Sequence, residues 1–94
     1  MLKKTDLDKL LTLTRKWYNE KDKELGHIYY EEAISLSRDI AKGTSLAHEE
    51  MGANQLFRFA WNIAEKRWPN EQLYIMVERA GGKVDHWEYQ GHFS

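Results

Sequence analysis

The sequence of 94 residues contains no cysteine, no long apolar run and no excess of charge of either sign. A chain without cysteine forms no disulfide and supports no thiolate chemistry, which is typical of proteins in the reducing cytoplasm. No apolar segment approaches the roughly 20 residues that span a bilayer, and the first residues lack the apolar stretch of a signal peptide. We therefore expect a cytoplasmic protein that does not contact a membrane.

The charges of the chain also limit its partners. The 14 basic and 15 acidic residues nearly cancel, and the modest excess of Lys and Arg in residues 1–24 does not form a basic patch. Nucleic-acid binding by neutralisation of phosphates needs a concentrated cationic face. The charge balance therefore argues against nucleic acid as a partner.

Motifs that would fix a reaction are missing from the sequence. No glycine-rich phosphate loop is present, and no Ser or Thr has the sequence context of an activated nucleophile. Glu24 and His27 have the Glu-x-x-His spacing of carboxylate-bridged metal bundles, but those bundles need the motif twice. His48-Glu49-Glu50 lacks the second histidine of a zinc-protease helix. We predict no catalytic residue, no metal ligand and no cofactor, so that the protein is not an enzyme.

Apolar residues recur at spacings of three and four through most of the chain, which predicts an all-α fold. The expected architecture is one compact four-helix domain over residues 1–94. The predicted helices cover residues 5–24, 28–42, 45–68 and 70–80. A capping motif at Thr5 should begin the first helix, and Gly26 should end it in a left-handed conformation.

The third predicted helix is expected to be the central one. Its apolar residues cover about 200° of the helical wheel, which is too wide for a helix with a single neighbour. We expect four of its residues to be almost completely buried: Phe57, Ala60, Trp61 and Ala64.

The chain after Gly81-Gly82 should form an extended aromatic arm over residues 83–94. The helical period gives way there to a period of two, so Trp87, Tyr89 and Phe93 lie on one side of an extended segment. Disordered tails are poor in aromatic residues, and this composition therefore indicates an arm that docks on a surface.

The fourth predicted helix offers such a surface, because Tyr74 and Ile75 lie outside its inward-facing stripe. A β-hairpin that pairs residues 74–80 with residues 83–89 is the competing interpretation, since Gly81-Gly82 can also form a tight turn. That pairing would place Glu78 opposite Asp85, which is unfavourable.

Together these features favour a small cytoplasmic protein-binding module: an adaptor, regulator or inhibitor of another protein. Surplus apolar surface on the fourth helix and the arm is the positive support, and a homodimer is compatible with it. The predicted protein-binding residues are Tyr74, Ile75, Trp87, Tyr89 and Phe93.

Two alternative functions remain open at this point. A nucleic-acid-binding regulator would use the polar face of the third helix. The residues of that face are Gln55, Arg58, Asn62 and Lys66. An enzyme or small-ligand carrier would instead need an aromatic-lined pocket, for which Trp17, Tyr29 and Trp61 are the candidate walls.

Overall fold

The computed structural model describes residues 1–48 and 51–88, and this part of the chain has an all-α fold. The α-helices are α1 (Lys4–Asn19), α2 (Lys23–Ala41), α3 (Gly52–Lys66) and α4 (Glu71–Arg79), with a 3-10 turn at Ser45–His48 between α2 and α3. The predicted four-helix fold is confirmed, and the helical conformation of α4 excludes the β-hairpin. Within the described ranges, none of the helices combines the length and the apolar character that a membrane crossing requires.

The helices pack around one hydrophobic core. α1, α2 and α3 each contact the other two, and α4 packs against α1 and α3. α1 and α3 therefore each touch every other helix, so the central position predicted for the third helix is shared with α1. The buried side chains that fill the core include Leu7, Leu10, Leu11, Leu56, Ile63, Leu73 and Val77.

The turn between α1 and α2 lies earlier in the chain than the sequence predicted. α1 ends at Asn19, and the Asp22 carboxylate accepts hydrogen bonds from the backbone N–H groups of Glu24 and Leu25 at 2.9 and 3.3 Å. Such a cap fixes the start of a helix, because it satisfies N–H groups that have no partner in the first turn. Gly26 consequently lies inside α2, and the prediction that it ends the first helix was wrong.

The single helix predicted over residues 45–68 is replaced by a 3-10 turn and a shorter α3. The Thr44 hydroxyl accepts a hydrogen bond from the Leu46 N–H at 3.1 Å and begins the 3-10 turn. α3 then starts at Gly52, whose backbone passes so close to the Leu46 carbonyl that a Cβ there would collide with its oxygen. At its other end, left-handed Arg67 terminates α3, and the Trp68 N–H donates to the Ile63 carbonyl at 3.0 Å.

The two ends of the described chain meet in a short parallel pairing. Leu2 pairs with Val84: the Leu2 N–H donates to the Lys83 carbonyl at 2.6 Å, and the Asp85 N–H donates to the Leu2 carbonyl at 2.8 Å. Gly82 makes room for this pairing, because a Cβ at that position would lie 2.8 Å from the Leu2 Cδ1 atom. The first residues of the predicted arm are thus held against the start of α1.

Candidate functional site

An aromatic cluster forms where α1, α2 and α3 meet. The Trp17 ring of α1 stands edge-on to the Phe57 and Trp61 rings of α3, with both centroids 5.2 Å away. Tyr30 of α2 completes the cluster, 5.2 Å from Phe57 and 6.0 Å from Trp17. We call these four residues the aromatic patch. Edge-to-face contacts of this kind are the preferred geometry of aromatic pairs and fix the rings relative to one another.

The aromatic patch has a buried floor and an exposed rim. Phe57 is only 4% exposed, whereas Tyr30 is 36% exposed and Trp61 is 40% exposed. The prediction that Trp61 is almost completely buried was therefore wrong, although the same prediction is confirmed for Phe57, Ala60 and Ala64. The Trp61 ring contacts the Trp17 ring but is not covered by it.

An open groove of about 220 Å³ lies over the patch between α2 and α3. On the α3 side its wall includes Asn54 and the exposed Arg58. On the α2 side the wall is formed by Tyr30 and Ile34. Outside the groove lining, the His27 ring stacks on Tyr30, with the centroids 6.5 Å apart, and the His27 Nε2 atom lies 2.9 Å from the Glu31 Oε1 atom. The groove thus has an aromatic floor, an apolar wall on α2 and a polar wall on α3.

Of the three residues named as walls of a possible aromatic-lined pocket, the structure brings two together. Trp17 and Trp61 do meet, but Tyr29 is not part of their cluster. Its ring instead lies beside α1, with the Lys16 Nζ atom 5.8 Å from the ring centroid. Tyr30 takes the place of Tyr29. Successive residues of a helix point about 100° apart, so the packing of α2 that turns Tyr30 towards Phe57 turns Tyr29 towards α1.

The predicted binding surface on α4 is largely occupied by the chain itself. Tyr74 is 1% exposed, and its ring lies 5.2 Å from that of Trp87, at an interplanar angle of 62°. The expected contact between the arm and α4 is therefore present. Ile75 and Trp87 are half-buried, so these two would be the residues that a partner meets here. Tyr89 and Phe93 lie outside the described residues.

A polar cluster beneath this contact joins α4 to α1. The Asp8 carboxylate accepts hydrogen bonds from the Tyr74 hydroxyl, from the Asn70 side-chain amide at 3.2 Å and from the Lys4 Nζ atom at 3.3 Å. Burial raises the pKa of Tyr74, and the hydrogen bond to Asp8 raises it further. The hydrogen bond with Asp8 likewise raises the pKa of Lys4. Both shifts favour the protonated forms of Tyr74 and Lys4, in which each donates a hydrogen bond to Asp8.

The polar face of α3 that would serve nucleic-acid binding is exposed along its whole length. Its residues are Gln55, Arg58, Asn62 and Lys66. The Lys66 ammonium lies over the Trp68 ring, 4.8 Å from its centroid, and exposed Glu65 borders the same face. The surface therefore offers few cations to a phosphate backbone, which needs many.

No group of three or more His, Asp or Glu side chains in residues 1–48 and 51–88 is arranged to hold a metal ion. His27 pairs with Glu31 one turn further along α2. No protein-family model, curated protein or solved structure matches the chain, and its function is therefore inferred from its own geometry.

Proposed function

We propose that this chain is a small cytoplasmic protein-binding module, an adaptor, regulator or inhibitor, whose docking surface is the aromatic patch. The observation that carries the proposal is the exposure of Tyr30 and Trp61, which remain 36% and 40% exposed above a buried aromatic floor. Trp and Tyr are enriched among the residues that dominate binding energy at protein interfaces. Clustered apolar surface with a polar rim is typical of such interfaces.

The arrangement of the patch distinguishes it from other exposed apolar residues of the chain. Single exposed residues such as Ile28, at 50%, are common on soluble proteins and need no functional explanation. The patch residues instead contact one another, and Trp61 is held edge-on to Trp17. Rings that are already fixed lose little conformational entropy on binding, which favours affinity.

Two tryptophan variants of matched exposure test the proposal. Trp61 and Trp68 are 40% and 42% exposed, but only Trp61 belongs to the patch. The wild-type chain, Trp61→Ala and Trp68→Ala are each immobilised and used to capture proteins from a lysate of the native host. We expect Trp61→Ala to lose proteins that the wild type and Trp68→Ala retain.

Circular dichroism and thermal melting of the three proteins provide the folding control. If a folded Trp61→Ala variant retains every protein captured by the wild type, the patch is not the docking surface. Equal losses from both variants would also contradict the proposal, because Trp68 lies outside the patch.

A further inference from the structure

We infer that the two ends of the described chain form a clasp that opens and closes as one unit while the four helices stay folded. The terminal clasp consists of residues 1–3 and residues 83–88, which lie against each other in the parallel pairing of Leu2 with Val84. In its closed form the clasp covers the ring of Tyr74 on α4. The clasp shares no residue with the aromatic patch, so the inference is independent of the proposed function.

The two halves of the clasp supply each other's hydrogen-bond partners. The Leu2 N–H donates to the Lys83 carbonyl, and the Leu2 carbonyl accepts from the Asp85 N–H. The Asp85 carboxylate accepts in turn from the Lys4 N–H at the start of α1. Separation of the two halves therefore breaks all three bonds at once, which makes the opening cooperative.

The end of α4 has anchors of its own, which remain when the clasp opens. The Gly82 N–H donates to the Val77 carbonyl at 3.0 Å, and the Ser45 N–H donates to the Ala80 carbonyl at 2.8 Å. These bonds tie the end of α4 to its own last turns and to the turn after α2, and neither of them involves the clasp. The chain can therefore leave the helical body after Gly82, where the backbone has the conformational freedom of glycine.

Few apolar side chains hold the clasp closed. Val84 is 2% exposed, but Leu2 and Trp87 are only half-buried. The helices are held by many fully buried side chains, among them Leu11 and Ile63. Segments with few buried apolar contacts open at a lower free energy than the whole domain. The clasp should therefore open more often than the helices unfold.

Opening of the clasp changes the surface of α4. The Trp87 ring lies 5.2 Å from the Tyr74 ring, and it leaves with the rest of the clasp. Opening thus uncovers the side of the Tyr74 ring on which Trp87 packs. The left-handed backbone of His86, with φ 52°, is released at the same time, and a non-glycine residue adopts this conformation at a cost. The clasp is a cover that the fold can remove without unfolding.

Hydrogen exchange of the full chain, followed by NMR in urea below the unfolding transition, tests the clasp. The amides of Leu2, Lys4 and Asp85, the clasp amides, should share one protection factor, at least about tenfold below that of the Leu11 and Ile63 amides. Urea should accelerate exchange at the two core amides and hardly change it at the clasp amides, because clasp opening exposes little surface. Clasp amides with the protection and urea dependence of the core would overturn the inference, since the clasp would then open only by global unfolding.

Val84→Ala tests whether the two ends open together. The substitution removes apolar surface from one half only, yet it should lower the protection factors of all three clasp amides by the same factor, about tenfold. Glu88→Ala, at an exposed position of the same half, is the control and should change none of them. A loss of protection at Asp85 that leaves Leu2 and Lys4 unchanged would overturn the opening as one unit.

Nitration of Tyr74, followed by mass spectrometry in the same urea series, tests the cover. Tyr18, which is 43% exposed, provides the reference. We expect Val84→Ala to raise the ratio of Tyr74 to Tyr18 nitration, and we expect low urea to leave this ratio unchanged in the wild type. A ratio with the urea dependence of the core amides would mean that Tyr74 becomes accessible only when the helices unfold, and it would overturn the cover.

Discussion

The side-chain carboxylate of Asp85 accepts a hydrogen bond from the backbone N–H of Lys4 at 2.7 Å, across 81 positions of the sequence. Lys3, which precedes α1, provides no side-chain cap, so a distant residue satisfies an N–H group of the first turn that has no partner within the helix. A carboxylate at this end also interacts favourably with the helix dipole. Asp85 thereby holds the segment after α4 against the start of α1.

Asp85→Ala should lower the free energy of unfolding by about 0.5–2 kcal/mol, the usual effect of removing a helix cap. Asp85→Asn should cost less, because the amide oxygen still accepts the hydrogen bond and only the interaction of the charge with the dipole is lost. Urea denaturation measures both changes. Glu88→Ala, at an exposed position three residues further on, is the control. An equal loss from Asp85→Ala and Glu88→Ala would show that the cap contributes nothing.

Tyr74→Phe should lower the free energy of unfolding at neutral pH by about 1–3 kcal/mol. The variant removes one of the donors to the half-buried Asp8 carboxylate, and a hydrogen bond to a charged group typically contributes about this much. The ring and its contact with Trp87 remain. If Tyr74→Phe is as stable as the wild type, the hydroxyl does not contribute to holding α4 against α1.

Stability should also fall as the pH rises above about 10, the usual pKa of tyrosine. Burial first, and then the hydrogen bond to Asp8, raise the pKa of Tyr74 above 10.0 in the folded state. Between these two pKa values the unfolded chain has released a proton that the folded chain keeps, so raising the pH favours unfolding. Lys4, whose pKa is raised above 10.5 chiefly by its hydrogen bond to Asp8, acts in the same direction.

Urea denaturation of the wild type and Tyr74→Phe from about pH 8 to about pH 11 tests this dependence. The variant lacks the contribution of Tyr74, so its stability should fall less steeply with pH. The other tyrosines are present in both proteins and serve as the internal control. Identical slopes would contradict the role assigned to Tyr74.

The helices could be predicted because their signals are local. Apolar spacing alone indicates four helices, and the Asp22 cap that begins α2 is a type of signal that a sequence displays. Gly26 was interpreted as the end of α1, which conflicts with a helix that begins after Asp22. The structure shows that α2 begins after the Asp22 cap and contains Gly26. The earlier start does not change which residues share a face of α2; the packing of α2 on α1 and α3 places Tyr30, and not Tyr29, in the aromatic patch.

Contacts between distant residues could not be predicted in the same way. No pattern in the sequence joins Asp85 to Lys4 or Asp8 to Tyr74. Tyr74 was predicted to lie outside the inward stripe of its helix, but it is buried in the core together with Leu73 and Val77, and Trp87 packs on its ring. Trp61 lies within the apolar arc of α3, and its partial exposure depends on how closely α1 and α2 approach that helix. Side-chain burial at helix margins is therefore a property of the assembled bundle.

Phe57→Ala should destabilise the protein far more than Trp61→Ala. Phe57 is 4% exposed, and emptying such a site typically costs about 3–5 kcal/mol. Trp61 is 40% exposed, so its truncation leaves a surface depression that water can fill. The free energy of unfolding should therefore fall about half as much as for Phe57→Ala. Thermal melting of both variants provides the comparison. Equal losses would mean that Trp61 is a core residue and would weaken its assignment to a docking surface.

Gly26→Ala and Gly52→Ala should have opposite effects, although both place the same methyl group in the first turns of a helix. A Cβ at Gly26 would meet its nearest atoms, the Glu20 Cβ and Cγ, at 3.9 Å. Since this is an ordinary contact, Gly26→Ala should raise the free energy of unfolding by about 0.5–1 kcal/mol through its better helix propensity. A Cβ at Gly52 would collide with the Leu46 carbonyl oxygen and lie 3.2 Å from the Leu46 Cβ.

The collision at Gly52 involves backbone, which cannot rotate away, so Gly52→Ala should lower the free energy of unfolding by about 1–3 kcal/mol. Urea denaturation of the two variants and the wild type measures whether each substitution raises or lowers the free energy of unfolding. Because the chemical change is identical, the difference between them reports the space around each glycine. A destabilising Gly26→Ala would mean that Gly26 is not an unstrained residue of α2. A stabilising Gly52→Ala would mean that α3 does not begin in close contact with the 3-10 turn.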